Sequence, residues 1–435
     1  MKSAGQVIHK GVFILLLIVL LAGCGPSATP TSISPLPSPS PTLSPPTATP
    51  TEPSPAPLVL TLTLWVPEEL SPYGEGEASA LMAQRMVDFN QVNPELQVEV
   101  IVKKVQGRGG LWDFLRTASA AAPSVLPDLI VLDAQTLRVA AQAGLLQPLE
   151  EPLTDGLPVD RFPFASSLGE VDGQRVGEVI AAEMEHVAYR PDLYDTPPFT
   201  WTDVLSAPTS FVFPAAGRDE AVNDVTLIQY LATGGQLTDG EGNPQLEQAS
   251  LAEVLGFYEQ GVAVGVISPT LVLSLDDAED CQEVFKDWRA GMAVVDSRYF
   301  WTELDVYAAP AAFPTRDGNV VTLARGWTVA LVTADPQRQR QAVLLLEWLL
   351  APDYNGPWTQ SGGYLPPTLS GLQEWDVTEE ERRVLEALLE GAIREPEPSI
   401  RAAVGGPMQE ALEGVLEGRS SPSEAAAAAA RGVRR

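Results

Sequence analysis

The sequence has few of the side chains on which many catalytic and metal sites depend. Its 435 residues include two His and two Cys. This excludes a zinc cluster built from these ligands, although a carboxylate-rich calcium site stays open. A histidine-dependent catalytic triad would need His186, because His9 lies in a segment that we expect to be removed. Basic residues are also scarce, with 27 Lys and Arg against 57 Asp and Glu, and the net charge of −30 argues against nucleic acid as a partner.

Common catalytic motifs are missing as well. The sequence contains no Gly-x-Ser-x-Gly, no His-Glu-x-x-His and no Gly-x-x-x-x-Gly-Lys-Ser/Thr phosphate loop. An exported glycosidase with paired carboxylates stays as an alternative, because so many acidic residues offer chance pairs. A hydrophobic content of 45% still allows a large core. The composition therefore favours an exported binding protein over a hydrolase, and we expect no enzymatic activity, no cofactor and no bound metal.

The N-terminus has the pattern of an export signal. Lys2 and Lys10 precede an apolar stretch over 12–22, which is too short to span a bilayer, since a spanning helix needs about 20 residues. The following Leu21-Ala22-Gly23-Cys24 resembles the signal of bacterial lipoproteins, which implies removal of residues 1–23 and lipidation of Cys24. The alternative is an ordinary signal peptide. If Cys24 is acylated, Cys281 has no partner, so we expect no disulfide and an ordinary helical Cys281.

A tether follows over residues 24–57. From 26 onward it is almost wholly Pro, Ser, Thr and Ala, a composition that cannot build a core. Such a segment favours extended polyproline II and reaches at most about 100 Å. It would lift the folded body clear of a lipid surface.

The folded body begins at residue 58 with alternating strands and helices. Strands are predicted at 58–66, 96–102 and 128–132, and helices at 79–91, 111–121 and 136–143. This order implies a mostly parallel sheet covered by helices. Further strands are predicted at 211–213, 292–295 and 327–332, and further helices at 222–233, 250–260, 281–290 and 336–350. Helix starts are predicted from the patterns at Thr200–Asp203, Asp335, Thr378–Glu381 and Ser421–Glu424, and a hairpin turn at Asp172-Gly173.

Seven short patterns in a fixed order resemble the family 1 extracellular solute-binding proteins of ABC importers. They are Trp65, Asn93-Pro94, Pro127-Asp128-Leu129-Ile130, the stretch 143–149, Phe199-Thr200-Trp201, Ala290-Gly291-Met292-Ala293 and Gly362-Gly363-Tyr364-Leu365-Pro366. Two stretches that often line the ligand cleft of that family, 177–180 and 189–193, depart from its pattern. This departure leaves the identity of the ligand open.

The resemblance implies a two-lobed α/β fold with a ligand cleft between discontinuous lobes. We expect lobe I at 58–165 and 319–365, and lobe II at 166–318 with C-terminal helices at 366–435. The implied function is capture of a small polar solute by lobe closure and delivery to an ABC permease, with a carbohydrate favoured over a peptide. We expect a monomer anchored at the outer face of the cytoplasmic membrane. A sensory or scaffolding protein of the same fold is an alternative.

Open α/β sheets bind ligands beyond the carboxyl ends of their strands, a rule that selects 65–68, Asp133 and the segment after Val295. Glu183 and Tyr364 lie in stretches for which the resemblance implies a place near the cleft or the hinge. Sugar binding needs aromatic faces for the C–H groups of a pyranose, and carboxylates for its hydroxyls. The candidates are Trp65, Asp133, Glu183, Tyr299, Trp301, Trp327 and Tyr364. Each has a structural alternative: the aromatic rings could be core residues, and Asp133 could cap the helix that follows it. Gly326 would let a ligand approach the backbone beside Trp327.

Overall fold

The computed structural model describes residues 59–149, 156–194, 196–217, 221–304 and 308–433. The predicted signal segment, Cys24, the tether and Leu58 lie outside these ranges. The strands are β1 (Leu60–Pro67), β2 (Leu96–Lys103), β3 (Leu129–Asp133), β4 (Glu170–Val171), β5 (Gln174–Arg175), β6 (Gly177–Tyr189), β7 (Phe211–Val212), β8 (Met292–Asp296), β9 (Ala309–Ala311), β10 (Thr322–Leu331) and β11 (Ala392–Arg394).

Helices cover the sheet and form most of the C-terminal part. They are α1 (Glu77–Val92), α2 (Leu111–Ala121), α3 (Ala134–Gln142), α4 (Pro163–Gly169), α5 (Trp201–Leu205), α6 (Asp224–Ala232), α7 (Gln248–Ala263), α8 (Pro269–Val272), α9 (Ala278–Lys286), α10 (Ser297–Thr302), α11 (Pro336–Leu350), α12 (Pro352–Ser361), α13 (Leu369–Gln373), α14 (Glu379–Glu390), α15 (Pro398–Leu416) and α16 (Pro422–Gly432). Within the described ranges, none of these helices has the length and apolar character needed to cross a membrane.

The elements predicted from local patterns are confirmed. The first part of the body runs β1-α1-β2-α2-β3-α3, and β1 lies between β2 and β3, parallel to both. The hairpin at Asp172-Gly173 joins β4 and β5. Thr200, Thr378 and Ser421 form capping boxes, and Asp335 accepts hydrogen bonds at the start of α11. These features depend on neighbouring residues, which a sequence pattern records directly.

Two predicted boundaries differ from the structure. Strand β10 begins at Thr322 rather than at Trp327, because residues 322–324 pair with β11 and residues 324–330 pair with β6. Helix α9 ends at Lys286 rather than at residue 290, because Trp288 adopts a φ of 60°, which is incompatible with a right-handed helix. Cys281 lies in this helix and is buried, which raises the pKa of its thiol.

The main sheet is mixed, which corrects the expectation of a mostly parallel sheet. Its strand order is β2-β1-β3-β10-β6-β8-β7, with β11 beside β10 and β9 beside β6. Strand β10 is antiparallel to both β3 and β6. Strand β6 is long enough to serve both halves, since residues 177–184 pair with β10 and residues 185–189 pair with β8. The two lobes are therefore joined through one continuous strand.

Each half of the sheet has apolar clusters on both faces. In the first half they include Phe89 and Leu346 on one face, and Leu115 and Leu132 on the other. The second half is covered by separate clusters around α7 and α9. A further cluster around Trp375 packs against β6 and β10, where the halves meet. The lobe boundaries predicted from the sequence stay a prediction.

Candidate ligand cleft

Charged side chains converge where β6 passes from β10 to β8. Glu183 stands directly opposite Arg325 on β10, and Glu185 stands directly opposite Asp296 on β8. Residues 183 and 185 lie on the same face of β6, because alternate residues of a strand point to the same side. Arg298, at the start of α10, places a guanidinium nitrogen 4.0 Å from the Glu183 carboxylate. Ionisable groups thus line the place where β6 passes from one lobe to the other.

The first lobe contributes its strand ends to the same region. Asp133 ends β3 and is the cross-strand partner of Trp327 on β10. Trp327 is 9% exposed, and its side chain interacts with the Glu183 carboxylate in the sense that favours the charged form. Glu69 follows β1 and interacts electrostatically with Arg298 and Asp133. The predicted residues Asp133, Glu183 and Trp327 are therefore neighbours in the structure.

A stack of three aromatic rings leads into the cleft. Trp358 lies between Tyr354, at a centroid distance of 6.0 Å, and Tyr364, at 6.1 Å, and both pairs are nearly parallel. The Arg298 guanidinium lies 4.7 Å from the centre of the Tyr364 ring. Tyr364 is 2% exposed, and its hydroxyl has no hydrogen-bond partner among the described residues. Tyr364, a predicted site residue, thus brings a polar group to the edge of the charged region.

The carboxylates in the cleft are partly desolvated. Burial raises the pKa of Glu183, and the nearby Asp296 raises it further. Burial also raises the pKa of Glu185 to about 8, with a further contribution from Asp224. Arg325 shows the opposite effect: burial disfavours its charge, but surrounding carboxylates outweigh burial and raise its pKa. Negative charge therefore exceeds positive charge in this region.

Asp133 also fills the structural role that was its alternative. Its side chain accepts hydrogen bonds from the backbone N–H groups of Gln135, at 3.0 Å, and Thr136, at 2.9 Å. The Thr136 hydroxyl donates a third hydrogen bond at 2.6 Å. Asp133 thus caps α3, and its contact with a ligand stays a prediction.

Other predicted site residues lie within apolar packing. Trp65 is 3% exposed and contacts Phe114 edge-on at 6.3 Å, with the Lys103 ammonium 4.4 Å from its ring centre. Trp301 packs edge-on against Phe300 at 4.9 Å and Trp375 at 5.3 Å. The structure therefore places neither ring beside Glu183.

Tyr299 and His186 lie apart from the charged cluster. Tyr299 is on α10 and interacts electrostatically with Lys286 on α9. His186 is 1% exposed and packs edge-on against Phe300 at 4.9 Å. Its burial lowers the pKa of the imidazole to about 4, as expected for a core residue. The ligand contact of Tyr299 stays a prediction.

The sequence argument based on Gly326 is wrong. A Cβ atom at this position would lie 3.1 Å from the Ala181 carbonyl oxygen and 3.2 Å from a Leu168 methyl group. The glycine is needed for close packing of β10 against β6 and α4. It does not open a path for a ligand beside Trp327.

Several charged residues of the cleft were missed by the sequence analysis. Arg325 lies 3.1 Å from Asp224 and 3.3 Å from Glu395, and Arg401 pairs with the other oxygen of Asp224. A signal existed for Arg325, which is the one charged residue in the otherwise uncharged run over 322–331. Asp296 could have been found by the strand-end rule, since it follows the predicted strand over 292–295. The other three come from distant segments, and no local pattern marks them.

A metal site does not emerge from this cluster. Within the described ranges, no group of three or more Asp, Glu, His or Cys side chains is arranged to hold a metal ion. A separate groove of about 1200 Å³ lies between α15, α16 and the segment near Gly217. Its lining is mainly Ala and Gly and includes no aromatic ring. We therefore place the candidate site at the cleft.

Comparison with known proteins identifies the family. A family of sequences described as "Bacterial extracellular solute-binding protein" matches residues 84–382. No curated protein sequence matches the chain.

Solved structures share the fold at low identity. The cyclic alpha-maltosyl-1,6-maltose binding protein of Arthrobacter globiformis has a TM-score of 0.65 at 20% identity, covering 86% of this chain and 98% of that one. The sugar-binding protein MalE of Xanthomonas citri has a TM-score of 0.65 at 20% identity, covering 86% and 96%. A Thermotoga lettingae solute-binding protein bound with alpha-D-tagatose has a TM-score of 0.61 at 19% identity, covering 86% and 98%. These likenesses support a two-lobed binding-protein fold.

Proposed function

Because the chain belongs to the bacterial extracellular solute-binding proteins, we propose that it captures a carbohydrate outside the cytoplasm and delivers it to an ABC permease. The observation that carries the carbohydrate proposal is the meeting of aromatic and carboxylate groups at the junction of the lobes. Trp327 offers a ring for the C–H face of a sugar, and Tyr364 offers a hydroxyl that has no hydrogen-bond partner among the described residues. Glu183 beside Trp327 offers an acceptor for sugar hydroxyls.

Capture would proceed by closure of the two lobes around the solute. Strand β6 carries Glu183 next to β10 and Glu185 next to β8, so the two carboxylates stand on either side of the junction. A hinge at such a junction confines the backbone changes of closure to a few residues. Closure is driven by ligand only if the ligand contacts both lobes better in the closed arrangement.

A carbohydrate is favoured over a peptide by the solved relatives. They include a protein named for a cyclic maltosyl-maltose, a solute-binding protein bound with tagatose, and a maltose-bound protein of T. maritima. The first two are binding proteins by name, and none of the three names supports the alternative of an exported hydrolase. A sensory role would use the same cleft, and it would differ from transport only in the membrane partner.

We further propose that Cys24 carries a lipid which anchors the protein at the outer face of the cytoplasmic membrane. This rests on the order Leu21-Ala22-Gly23-Cys24 after a short apolar stretch. A single acyl chain binds a membrane only marginally, so stable anchoring needs a second signal such as another acyl chain. The tether over 24–57 would then give the folded body room to reach its permease.

Thermal unfolding with a panel of ligands tests the proposed function. The panel holds mono- and oligosaccharides, amino sugars, short peptides and polyamines, each added to the purified full chain. A true ligand at about 100 times its Kd adds about 2.7 kcal/mol to the free energy of unfolding, which is readily measured. Stabilisation by one class of sugar, without hydrolysis of that sugar, is the expected result. Stabilisation by peptides alone would contradict the carbohydrate proposal, and release of hydrolysed sugar would favour the exported hydrolase.

A further inference from the structure

A basic surface stands out on this strongly acidic protein. The stretch 103–116, which joins the end of β2 to α2, carries four basic residues and one acidic residue, whereas the whole chain has 27 Lys and Arg against 57 Asp and Glu. We name Lys103, Lys104, Arg108 and Arg116 the basic rim. Two of the three lysines that follow residue 58 belong to it. The charge of this surface is thus opposite in sign to that of the protein.

The basic rim is mostly unpaired. Asp113, the one acidic residue of the stretch, lies 3.3 Å from Arg116. Among the described residues, the other three cations of the rim have no carboxylate within 4 Å. Several exposed cations elsewhere are, by contrast, paired with carboxylates, namely Arg316, Arg383 and Arg419. The positive charge of the rim is therefore available to a partner.

The local backbone holds part of this charge out in solvent. Lys104 and Arg108 are both exposed. Gly107 and Gly109 flank Arg108 with φ values of 78° and 84°, a conformation that glycine adopts without strain. The chain therefore turns tightly and leaves Arg108 at the tip of the turn.

An exposed aromatic ring lies among these charges. The Lys103 ammonium is 3.8 Å from the centre of the Phe114 ring and 4.4 Å from that of Trp65. Phe114 is 43% exposed, although its side chain is large and apolar. Burial alone lowers the pKa of Lys103, so no described carboxylate lies near enough to raise it. Basic side chains around an aromatic ring suit the interface of an anionic membrane, where cations meet headgroups and the ring enters the acyl boundary.

The basic rim lies at the edge of the sheet where ligands are expected. Strand β1 lies between β2 and β3 and is parallel to both, so the carboxyl ends of the three strands meet at one edge. Lys103 ends β2 and Asp133 ends β3, which places their backbones two strand spacings, or about 10 Å, apart. A surface that held the rim would therefore also face the ligand edge of the first lobe.

We propose that the basic rim docks the folded body on the anionic headgroups of the membrane and turns the ligand edge toward the bilayer. Each basic residue close to an anionic surface strengthens binding about 5-fold. Repulsion from the acidic remainder is limited, because charges farther away than about 8 Å are largely screened at physiological ionic strength. This inference rests on the proposed function, since a solute handed to a membrane permease has to leave the cleft toward the membrane. A flexible tether to an anchor would keep the local concentration at about the millimolar level, so that even weak docking is populated.

Partition into lipid vesicles tests the docking. The full chain is mixed with vesicles of phosphatidylcholine alone, or of phosphatidylcholine with phosphatidylglycerol, and flotation gives the ratio of the two partition coefficients. The N-terminal segment is the same in every variant, so a comparison between variants isolates the basic rim. The double variant Lys104→Gln, Arg108→Gln should lower the ratio about 25-fold, and high salt should abolish the preference of the wild type for the anionic vesicles.

A matched control and a local measurement complete the experiment. The double variant Arg383→Gln, Arg419→Gln removes the same charge from exposed positions on other elements and should leave the ratio unchanged. Hydrogen exchange should show protection of the backbone over 104–111 on anionic vesicles and none on neutral ones. An equal loss in the control variant would overturn the inference, because it would attribute binding to net charge rather than to the rim.

The remaining outcomes separate the membrane from other partners and from the proposed function. Equal partition of the wild type into both kinds of vesicle would overturn the inference. If Lys104→Gln, Arg108→Gln abolished solute uptake by cells while the wild type showed no preference for anionic lipid, membrane docking would be refuted in favour of an acidic protein surface. The vesicle assay needs no solute, so its failure leaves carbohydrate capture intact, and failure of the sugar panel leaves the vesicle result intact.

Discussion

The two tyrosines that sandwich Trp358 provide a matched test of which hydroxyl serves a ligand. Both are buried, both stack on the same indole, and neither hydroxyl has a partner among the described residues. Their surroundings differ. Each ring has a guanidinium beside it, Arg298 at 4.7 Å from Tyr364 and Arg85 at 4.8 Å from Tyr354, but Tyr364 also interacts electrostatically with Glu69, Glu183 and Asp296. Replacement of either residue by Phe keeps the stacked ring and removes only the hydroxyl.

The expected magnitudes follow from the cost of burying an unpaired hydroxyl. That cost is about 1–3 kcal/mol in proteins, so each Tyr→Phe variant should gain about 1 kcal/mol in the free energy of unfolding once relaxation is allowed for. If the Tyr364 hydroxyl bonds to the ligand, Tyr364→Phe also loses about 0.5–1.5 kcal/mol of binding. This corresponds to a Kd about 2- to 12-fold weaker. Tyr354→Phe should leave the Kd unchanged.

Urea unfolding and calorimetric titration of the two variants measure these quantities. The reasoning requires a stability gain in both variants and an affinity loss only at position 364. If Tyr354→Phe weakens binding as much as Tyr364→Phe, the effect belongs to the aromatic stack as a whole. If both variants lose stability, the hydroxyls are paired in solution, and the argument that Tyr364 is reserved for a ligand fails.

Three further predictions concern the cleft, the first lobe and the N-terminus. The free energy of unfolding of the wild type should fall as the pH rises from about 4.5 to 8, because the folded protein there holds a proton on Glu185 that the unfolded chain has lost. In unfolding experiments across that range, Glu185→Gln should flatten this slope. Asp128→Ala should cost about 3 kcal/mol of stability in urea unfolding, since it removes the buried carboxylate that Arg338 binds through two nitrogens. The control Asp335→Ala should cost only the ~1 kcal/mol of a helix cap, and equal losses in the two variants would contradict the argument. Cys24→Ser should move the protein from the membrane fraction to the soluble fraction, and a wild type that is already soluble would refute the proposed anchor.

The elements of the fold were predictable because their causes are local. Strand β2 follows an alternating pattern, and α11 begins at Asp335 because a capping side chain needs only its next few residues. The β-α-β order of the first half follows from such signals in sequence. The antiparallel insertion of β10 between β3 and β6 depends on pairing between residues far apart in the chain, and no local pattern could reveal it.

The site was predictable only in part, for the same physical reason. The strand-end rule places Asp133, and it could have placed Asp296, because each is the last residue of a buried strand. It also selected Trp65, whose ring the structure encloses between Phe114 and Lys103. A strand covered on both faces buries its end residues as readily as its middle, so position alone cannot separate core from site. Asp224 and Glu395 reach the cleft through the packing of distant segments.

The placement of charge at the junction also bears on how a solute could close the lobes. Trp327 lies within β10 and Glu69 follows β1, both on the side of the first lobe, whereas Asp296 ends a strand of the second. Strand β6 connects the two and carries Glu183 and Glu185 at the point of transfer. A solute that contacts both sets gains its full binding free energy only when the lobes approach each other, which is the differential affinity that a population shift requires.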